Sequence, residues 1–491
     1  MPHAPRRLWP RFGRFSYPWL ILVAAVIVVG GVVYLPGLYR MALLGSGYMA
    51  QQLCAGVFIS SRPFEDVMAQ DLTGPGLEPL RLFTPTVDED AKDVSAGVFG
   101  FARQTAIFRE GFGCTLIHDT SASALRKETA GLFSPTSPLK AGAEWPEGTR
   151  VTQRPWPNGM DGKAASRAIE EIFAKGDPER PRASRALVVV YQGRIVAERY
   201  APGFDASMPL AGWSMSKTAT NALVGMRVKD GVLALDDADL LPQWRKPGNP
   251  RSAITLNELM RMTSGLAFDE NPNDNLSDVS QLIFVQDNTA KFAAAKPLAH
   301  PPGTHWSYSS GETSILSGIV RDSFDDPRDY LRFPHDRLFE PLGMHTAQLA
   351  TDASGTFVGG AFLYASARDW ARLGLLFLQD GRWRGEQLLP KGWAAYTTRP
   401  TSQSPKNEYG AQLWLKLPSS PGLGEPPMPE DASYMMGLDG QVVAMVPSRA
   451  LVVVRLGLTK RGGDWDPARN LAPLVNAFPE VDIARERLEA P

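Results

Sequence analysis

Hydrophobic residues recur at helical spacing just after residue 214. The apolar positions that share one helix face in this stretch are Met215, Ala219, Ala222, Leu223 and Met226. Spacings of three and four residues place side chains one turn apart, and Asp230-Gly231 follows them as a stop signal. The pattern predicts a helix that begins near Ser214 and ends before Gly231.

Other apolar runs predict strands on both sides of a mostly helical middle. The predicted strands are 187–191, 194–200, 409–417, 441–446 and 451–456, and the predicted helices are 164–174, 256–262, 279–292 and 311–324. Gln192-Gly193 joins the first two strands as a hairpin. Strands at both ends with helices between them predict an α/β-type sandwich, with the first and last strands in one sheet and a helical insertion.

The amino terminus combines a basic tail with an apolar run. Residues 1–16 contain four arginines and no acidic residue: Arg6, Arg7, Arg11 and Arg14. Residues 17–36 are apolar and just long enough to cross a hydrocarbon core of about 30 Å. We expect an uncleaved transmembrane anchor, because the residues that follow do not resemble a cleavage site; a cleaved signal peptide is the alternative. The positive-inside rule then places residues 1–16 in the cytoplasm and the body outside the inner membrane, facing the periplasm or exterior.

Residues 37–160 contain strand-like pieces and many Pro, Gly and Ser residues, and their pattern does not specify a fold. Because they follow the predicted anchor, we expect them to form an extracytoplasmic region. Both cysteines, Cys54 and Cys114, fall here. In an exported compartment a lone pair of cysteines is more often bridged than free. Closing a loop of about 60 residues would remove roughly 4 kcal/mol of unfolded-chain entropy. We therefore expect a disulfide, with two buried thiols as the alternative.

The composition is that of a folded globular protein, and 491 residues can supply core for two or three domains. The formal net charge is −1 with no basic block in the body of the chain, so nucleic-acid binding is not expected. The six histidines show no ligand spacing and only two cysteines are present, so we expect a site without metal or other cofactor. Nothing in the composition indicates the oligomeric state.

The start of the predicted helix carries a serine and a lysine three residues apart, Ser214 and Lys217. A serine hydroxyl attacks an ester or amide at neutral pH only when a neighbouring base takes its proton. Lys217 is the candidate base, since burial and the positive end of a helix dipole favour the neutral amine. Ser137 and Lys140 repeat the spacing, but their Ser/Pro-rich surroundings predict a loop there.

Two later stretches add candidate chemistry. Tyr308 is followed by two hydroxyl residues and a predicted helix start, so its phenol could point into a cleft and relay a proton, although packing is the simpler role. Residues 434–441 form a glycine-punctuated lead into a strand, where something can approach the backbone closely. A turn is the alternative for that stretch.

Together, Ser-x-x-Lys at a helix start, Tyr-Ser-Ser about ninety residues later and the glycine-rich strand lead resemble serine hydrolases of the β-lactamase and penicillin-binding-protein superfamily. The chain looks most like its class C β-lactamase-related branch, which includes 6-aminohexanoate-dimer hydrolase and certain carboxylesterases. Further resembling stretches are 231–237, 262–266, Pro302-Gly303, Gly360 and 367–369. The resemblance implies an antiparallel sheet flanked by helices plus a mostly helical subdomain, with a catalytic domain over residues 161–480.

The resemblance also implies roles for individual residues. Ser214 would be the acylated nucleophile, Lys217 its base partner and Tyr308 the phenolic proton relay. The strand backbone at Gly437 and Leu438, with the N–H of Ser214, would form the oxyanion hole.

Two departures from the family pattern bear on the substrate. Ser310 stands where many members have asparagine, and residues 435–437 read Met-Met-Gly where lactamases have Lys-Thr-Gly. Without that lysine nothing grips a β-lactam carboxylate, so we expect a small-molecule neutral ester or unstrained amide as substrate. The alternatives are a D-amino-acid peptidase, transpeptidase or β-lactamase, and a catalytically inactive binding protein that keeps the fold.

Overall fold

The structure is a computed structural model that describes residues 18–133, 142–152, 154–271, 274, 276–418 and 427–481, with side chains from Leu35 onward. The predicted basic tail and the Ser137 copy of the motif lie outside the described residues. The helices are α1 Pro18–Cys54, α2 Phe64–Asp71, α3 Ala122–Thr129, α4 Gly162–Phe173, α5 Ser216–Lys229, α6 Leu256–Met260, α7 Asp278–Phe284, α8 Thr289–Ala294, α9 Ser310–Asp322, α10 Pro327–Pro334, α11 Glu340–Leu342, α12 Ala367–Leu378, α13 Trp393–Thr398 and α14 Pro467–Asn476.

The strands form five sheets among the described residues. They are β1 Phe83–Asp88, β2 Asp93–Val98, β3 Phe101–Arg109, β4 Gly113–Ile117, β5 Gly176–Asp177, β6 Arg180–Pro181, β7 Ser184–Tyr191, β8 Arg194–Tyr200, β9 Leu210–Ala211, β10 Gln348–Leu349, β11 Leu363–Ala365, β12 Arg382–Trp383, β13 Glu386–Gln387, β14 Ser433–Gly437, β15 Gln441–Val446 and β16 Leu451–Gly457.

The central sheet is antiparallel and runs in the order β14-β15-β16-β7-β8. Side chains alternate along β7: Leu187 and Val189 pack under α4 and α14, whereas Val188 and Val190 face the main core with α5 and α12. A strand covered on both faces reads as a continuous apolar run, which is why residues 187–191 were recognisable in sequence. The predicted sandwich, with its first and last strands in one sheet, is confirmed.

The N-terminal region folds as α1 and α2 against a four-stranded meander in the order β1-β2-β3-β4. Its core is a second apolar cluster that contains Met49, Leu53, Val94 and Ala106. The predicted disulfide is present: Cys54 at the end of α1 is joined to Cys114 on β4, and both cysteines are fully buried.

Helix α1 does not end at Pro36, the predicted end of the anchor, but continues with Pro36 inside it to Cys54. Among the described side chains, Leu35–Ile59 is long and apolar enough to cross a membrane, yet most of it is buried within the protein. Its second half is therefore a core helix of the N-terminal region. The anchor prediction rests on residues 17–36, whose side chains before Leu35 lie outside the described part.

Two predicted elements in residues 161–480 differ from the structure. Residues 279–292 form two helices, α7 and α8, rather than one. The predicted strand 409–417 is wrong, because Tyr409 and Trp414 make only isolated bridges, to each other and from Trp414 to Tyr434. Residues 409–413 are buried by packing rather than by strand pairing, and periodicity cannot separate these two cases.

Candidate active site

Ser214 lies in a single 3-10 turn, Trp213–Met215, that leads directly into α5. Trp213 has a left-handed backbone with φ of 49°, which costs energy for a residue with a side chain and is tolerated where the surroundings enforce it. The Ser216 hydroxyl enforces it here: it donates to the Trp213 carbonyl at 2.6 Å and accepts from the Leu363 N–H at 3.0 Å. The turn holds Ser214 half-buried, between the buried residues Trp213 and Met215.

Helix α5 is buried on all sides over its first eleven residues rather than on one face, as periodicity had predicted. Its polar side chains bind backbone carbonyls of neighbouring segments: Thr218 donates to Gln412 O at 3.0 Å and Thr220 to Gly359 O at 3.0 Å. Buried polar groups of this kind are costly unless they are bonded. The helix is therefore fixed in orientation as well as in depth.

The amine of Lys217 lies at the centre of this arrangement and is 2% exposed. Nζ is within hydrogen-bonding distance of three oxygens: Ser214 Oγ at 3.1 Å, Ser310 Oγ at 2.8 Å and Gly360 O at 3.1 Å. The predicted meeting of Ser214 and Lys217 on one helical turn is thus present, and Gly360 serves it through its carbonyl. An amine at this distance can take the proton of Ser214.

Tyr308 reaches the site from the loop before α9, as the sequence suggested. Lys217 Nζ lies 4.9 Å from the centre of its ring. The ring stacks on Trp414 at 5.3 Å and stands edge-on to Tyr409 at 5.8 Å. The hydroxyl has no hydrogen-bond partner within the described part of the chain. Packing against Trp414 and Tyr409 thus fixes the ring of Tyr308.

The glycine-rich segment forms β14, the edge strand of the central sheet, rather than only a lead into β15. A Cβ on Gly437 would stand 2.2 Å from the carbonyl oxygen of Gly212, which precedes the turn Trp213–Met215 that carries Ser214. The close backbone approach expected of this glycine is therefore real. Leu438 follows in a turn, and its side chain is 51% exposed.

Met435, which occupies the place of the lactamase lysine, is 1% exposed and packs in the core that contains Met215 and Ala219. No cation can reach the cleft from this position. The site thus holds the buried amine of Lys217, and the thioether of Met435 adds no charge to it.

Sequence analysis missed Glu270, which lies in the loop after α6. Its Oε1 accepts from Ser310 Oγ at 2.5 Å, and its Oε2 accepts from the Ser310 N–H at 2.7 Å. Burial raises the pKa of Glu270, and the charge of Lys217 together with the Ser310 hydrogen bonds opposes that rise. The signal available in the sequence was the serine at position 310 in place of asparagine. A buried hydroxyl next to Lys217 needs an acceptor for its own hydrogen, and Glu270 is that acceptor.

A small polar cavity of about 40 Å³ lies next to Trp213, between the N-terminal region and the rest of the protein. Its charged lining residues are Arg62, Asp71, Arg185 and Asp439. Asp71 bridges Arg62 at 2.8 Å and Arg185 at 2.5 Å. Burial raises the pKa of Asp439 to about 6. No group of three or more His, Cys, Asp or Glu side chains that could hold a metal occurs among the described residues.

Comparison with known proteins identifies the family of the chain. A family model for beta-lactamases matches residues 169–474, well over half of the chain. Among solved structures, the chain is similar to a penicillin-binding protein homologue from Caulobacter crescentus, with 16% identity, a TM-score of 0.50 and coverage of 67% of this chain and 98% of that one.

It is also similar to EstCE1, a hydrolase with promiscuous acyltransferase activity, with 16% identity, a TM-score of 0.50 and coverage of 64% and 97%. At these identities the likeness concerns the fold. A search of curated proteins found no significant match.

Proposed function

The chain belongs to the beta-lactamase family, and from this premise we propose that it is a serine hydrolase that cleaves an ester or an unstrained amide through an acyl-enzyme on Ser214. One observation carries the proposal: the buried Lys217 amine lies 3.1 Å from the hydroxyl of a half-buried serine. A binding protein that merely kept the fold would not need a buried amine aimed at a serine hydroxyl, because burying a charge is costly without a function or a partner.

In the proposed reaction, Lys217 takes the Ser214 proton while Oγ attacks the substrate carbonyl carbon. The backbone N–H groups of Ser214 and Leu438 hold the oxyanion, with Gly437 keeping strand β14 close to the nucleophile turn. Tyr308 hands a proton to the leaving group, which departs as the carbonyl re-forms. Water then attacks the acyl carbon and gives a proton to the Tyr308 phenolate, and Lys217 returns its proton to Ser214 Oγ as the bond between Oγ and the acyl carbon breaks.

The charge of the site favours a neutral acyl group. Met435 fills the place of the cation that would bind a β-lactam carboxylate, and Glu270 places a carboxyl next to the base instead. A substrate carboxylate here would find no second cation beside Lys217, which disfavours its binding. Peptidase and lactamase activity are therefore the weaker candidates.

The test is labelling of the full chain, solubilised in detergent, with a fluorophosphonate, followed by peptide mapping and assays on p-nitrophenyl esters, short amides and nitrocefin. We expect a single adduct on Ser214, ester turnover and little nitrocefin turnover. Ser214→Ala should abolish labelling, whereas Ser307→Ala, an exposed serine beside Tyr308, should label like the parent. An unlabelled parent protein, or an adduct on another serine, would overturn the proposal.

We also propose that residues 17–36 anchor the protein in the inner membrane, with residues 1–16 inside and the catalytic domain, residues 161–480, outside. Continuity of α1 supports this, since cleavage after residue 36 would cut one helix whose far end is buried in the N-terminal core. The exposed apolar residues where that helix emerges are Leu35, Leu38, Tyr39 and Met41. A carboxy-terminal alkaline phosphatase fusion should be active and membrane-bound; a mature protein that begins after residue 36 would contradict the anchor.

A further inference from the structure

The residue that departs from the family pattern, Ser310, joins Lys217 to a carboxylate. Lys217 Nζ donates to Ser310 Oγ at 2.8 Å, and the same oxygen donates to Glu270 Oε1 at 2.5 Å. The hydrogen bonds run head to tail from amine to hydroxyl to carboxylate. A hydroxyl can accept on one side and donate on the other through one atom, whereas an amide uses separate atoms for the two tasks.

This chain of bonds addresses a requirement of the proposed mechanism. The three oxygens around Nζ match the three donors of an ammonium, and Gly360 O can only accept. The resting amine is therefore well satisfied in its charged form, in which it cannot act as a base. It must lose one proton before it can take another from Ser214.

We propose that Glu270 receives this proton through Ser310 and so converts Lys217 into a working base; the inference rests on the proposed function of Ser214. One N–H bond of Lys217 breaks as Ser310 Oγ gains that proton, and the original Ser310 proton passes to Glu270 Oε1. The products are a neutral amine, an unchanged hydroxyl and a neutral carboxylic acid. Glu270 acts only through Ser310 and is a positioning residue, not one that contacts substrate.

The surroundings of Glu270 suit a carboxyl that changes charge during turnover. Lys217 faces it from α5, Ser310 from α9 and Asp269 from its own loop. Burial raises the pKa of the Tyr409 phenol, and the charges of Tyr308, Glu312 and Glu270 add to this rise. Burial disfavours the carboxylate and Asp269 repels it, while Lys217 and Ser310 stabilise it. Burial thus makes Glu270 easier to protonate than a carboxyl in water, which suits an acceptor for the proton of Lys217.

The experiment measures the rate at which a fluorophosphonate phosphonylates Ser214, as a function of pH, for the parent, Glu270→Gln, Ser310→Ala and the double variant, with circular dichroism to check folding. In Glu270→Gln we expect about a 10²-fold loss near pH 7, the usual scale of acid–base help. The loss should shrink as pH rises, because hydroxide can then take the proton that residue 270 no longer accepts, so the acid limb of the profile moves to higher pH. Ser310→Ala should behave alike, and the double variant should lose little more.

Asp269→Asn is the matched control: it removes an exposed carboxylate from the same loop and should move the limb by less than about half a pH unit. Ser310→Thr, which keeps the hydroxyl, should hold the parent profile, whereas Ser310→Asn should shift it as Glu270→Gln does. This pair carries the test if Glu270→Gln does not fold. A Glu270→Gln profile lowered equally at every pH, or a threonine variant that shifts like the asparagine variant, would overturn the proton chain. Failure of the parent to label on Ser214 would instead overturn the proposed function.

Discussion

The two residues that flank the nucleophile are buried in different parts of the molecule. Met215 lies in the main core of the catalytic half, between the central sheet and its helices. Trp213 lies in the second core, with α1, the four-stranded sheet and residues near 362. Ser214 therefore stands on the seam between the family fold and a region that the family model does not match. The N-terminal region is part of what holds the nucleophile turn in place.

Different interactions stabilise the catalytic half and the N-terminal region. The catalytic side fixes α5 through buried hydrogen bonds such as that from Asn221 to Ala411 O at 2.8 Å. The N-terminal side uses the Cys54–Cys114 disulfide and the ion pairs of Asp71. Removing a catalytic residue should therefore change the rate without changing the fold, whereas changes on the N-terminal side should act first on stability.

The largest effects are expected on the catalytic side. Ser214→Ala and Lys217→Ala should each lower kcat/KM for esters by 10³-fold or more, and the double variant should be little worse than either, because the pair acts as one unit. Kinetics on an ester panel check this, with unchanged thermal unfolding as the control. An additive double variant would show that Lys217 does not serve Ser214.

Tyr308→Phe keeps the ring that packs on Trp414 and Tyr409 and removes only the hydroxyl. We expect a loss of roughly 10²- to 10⁴-fold on amides, the scale of acid–base help. The loss should be smallest for p-nitrophenyl esters, whose leaving group needs no proton. Equal losses within about threefold on ester and amide would reduce Tyr308 to a packing residue.

Across the seam, Cys54→Ala with Cys114→Ala should destabilise the protein by about 4 kcal/mol, the loop-entropy value for a bridge of this span, while kcat at low temperature stays close to that of the parent. Urea unfolding followed by tryptophan fluorescence and by activity checks both parts. Because Trp213 shares the N-terminal core, activity should disappear together with that region. If activity outlasts the loss of the N-terminal region, the nucleophile turn does not depend on it.

The sequence predicted some parts of the site and of the N-terminal region and missed others, for physical reasons. Ser214 and Lys217 were recognisable because one helical turn fixes their distance, and β7 because both its faces are buried. Glu270 and Ser310 are forty residues apart, with two short helices and irregular loops between them, and no periodicity in the sequence records their contact. In the N-terminal region, β1 alternates in burial but carries Pro85, which is tolerated because β1 is an edge strand. Pro36 inside α1 likewise suggested an end where none exists.

The smallest expected effect concerns Asp439, which lies on the seam itself. Burial raises its pKa to about 6, Asp71 adds to the rise, and Lys460 and Arg185 oppose it. An unfolded aspartate titrates near pH 4. Between about pH 4 and 6 the folded state therefore binds more protons than the unfolded state, so the contribution of Asp439 to stability falls as pH rises through that window.

Asp439→Asn has no proton to lose. The free energy of unfolding of this variant minus that of the parent should rise by roughly 2 to 3 kcal/mol between pH 4 and 6 and stay level above pH 7. Urea denaturation across that range checks the slope, and Asp236→Asn, an exposed carboxylate, is the control that should give a flat difference. A flat difference for Asp439→Asn as well would mean that Asp439 titrates as in water, and the seam would then be open to solvent at this point rather than closed over the back of the nucleophile turn.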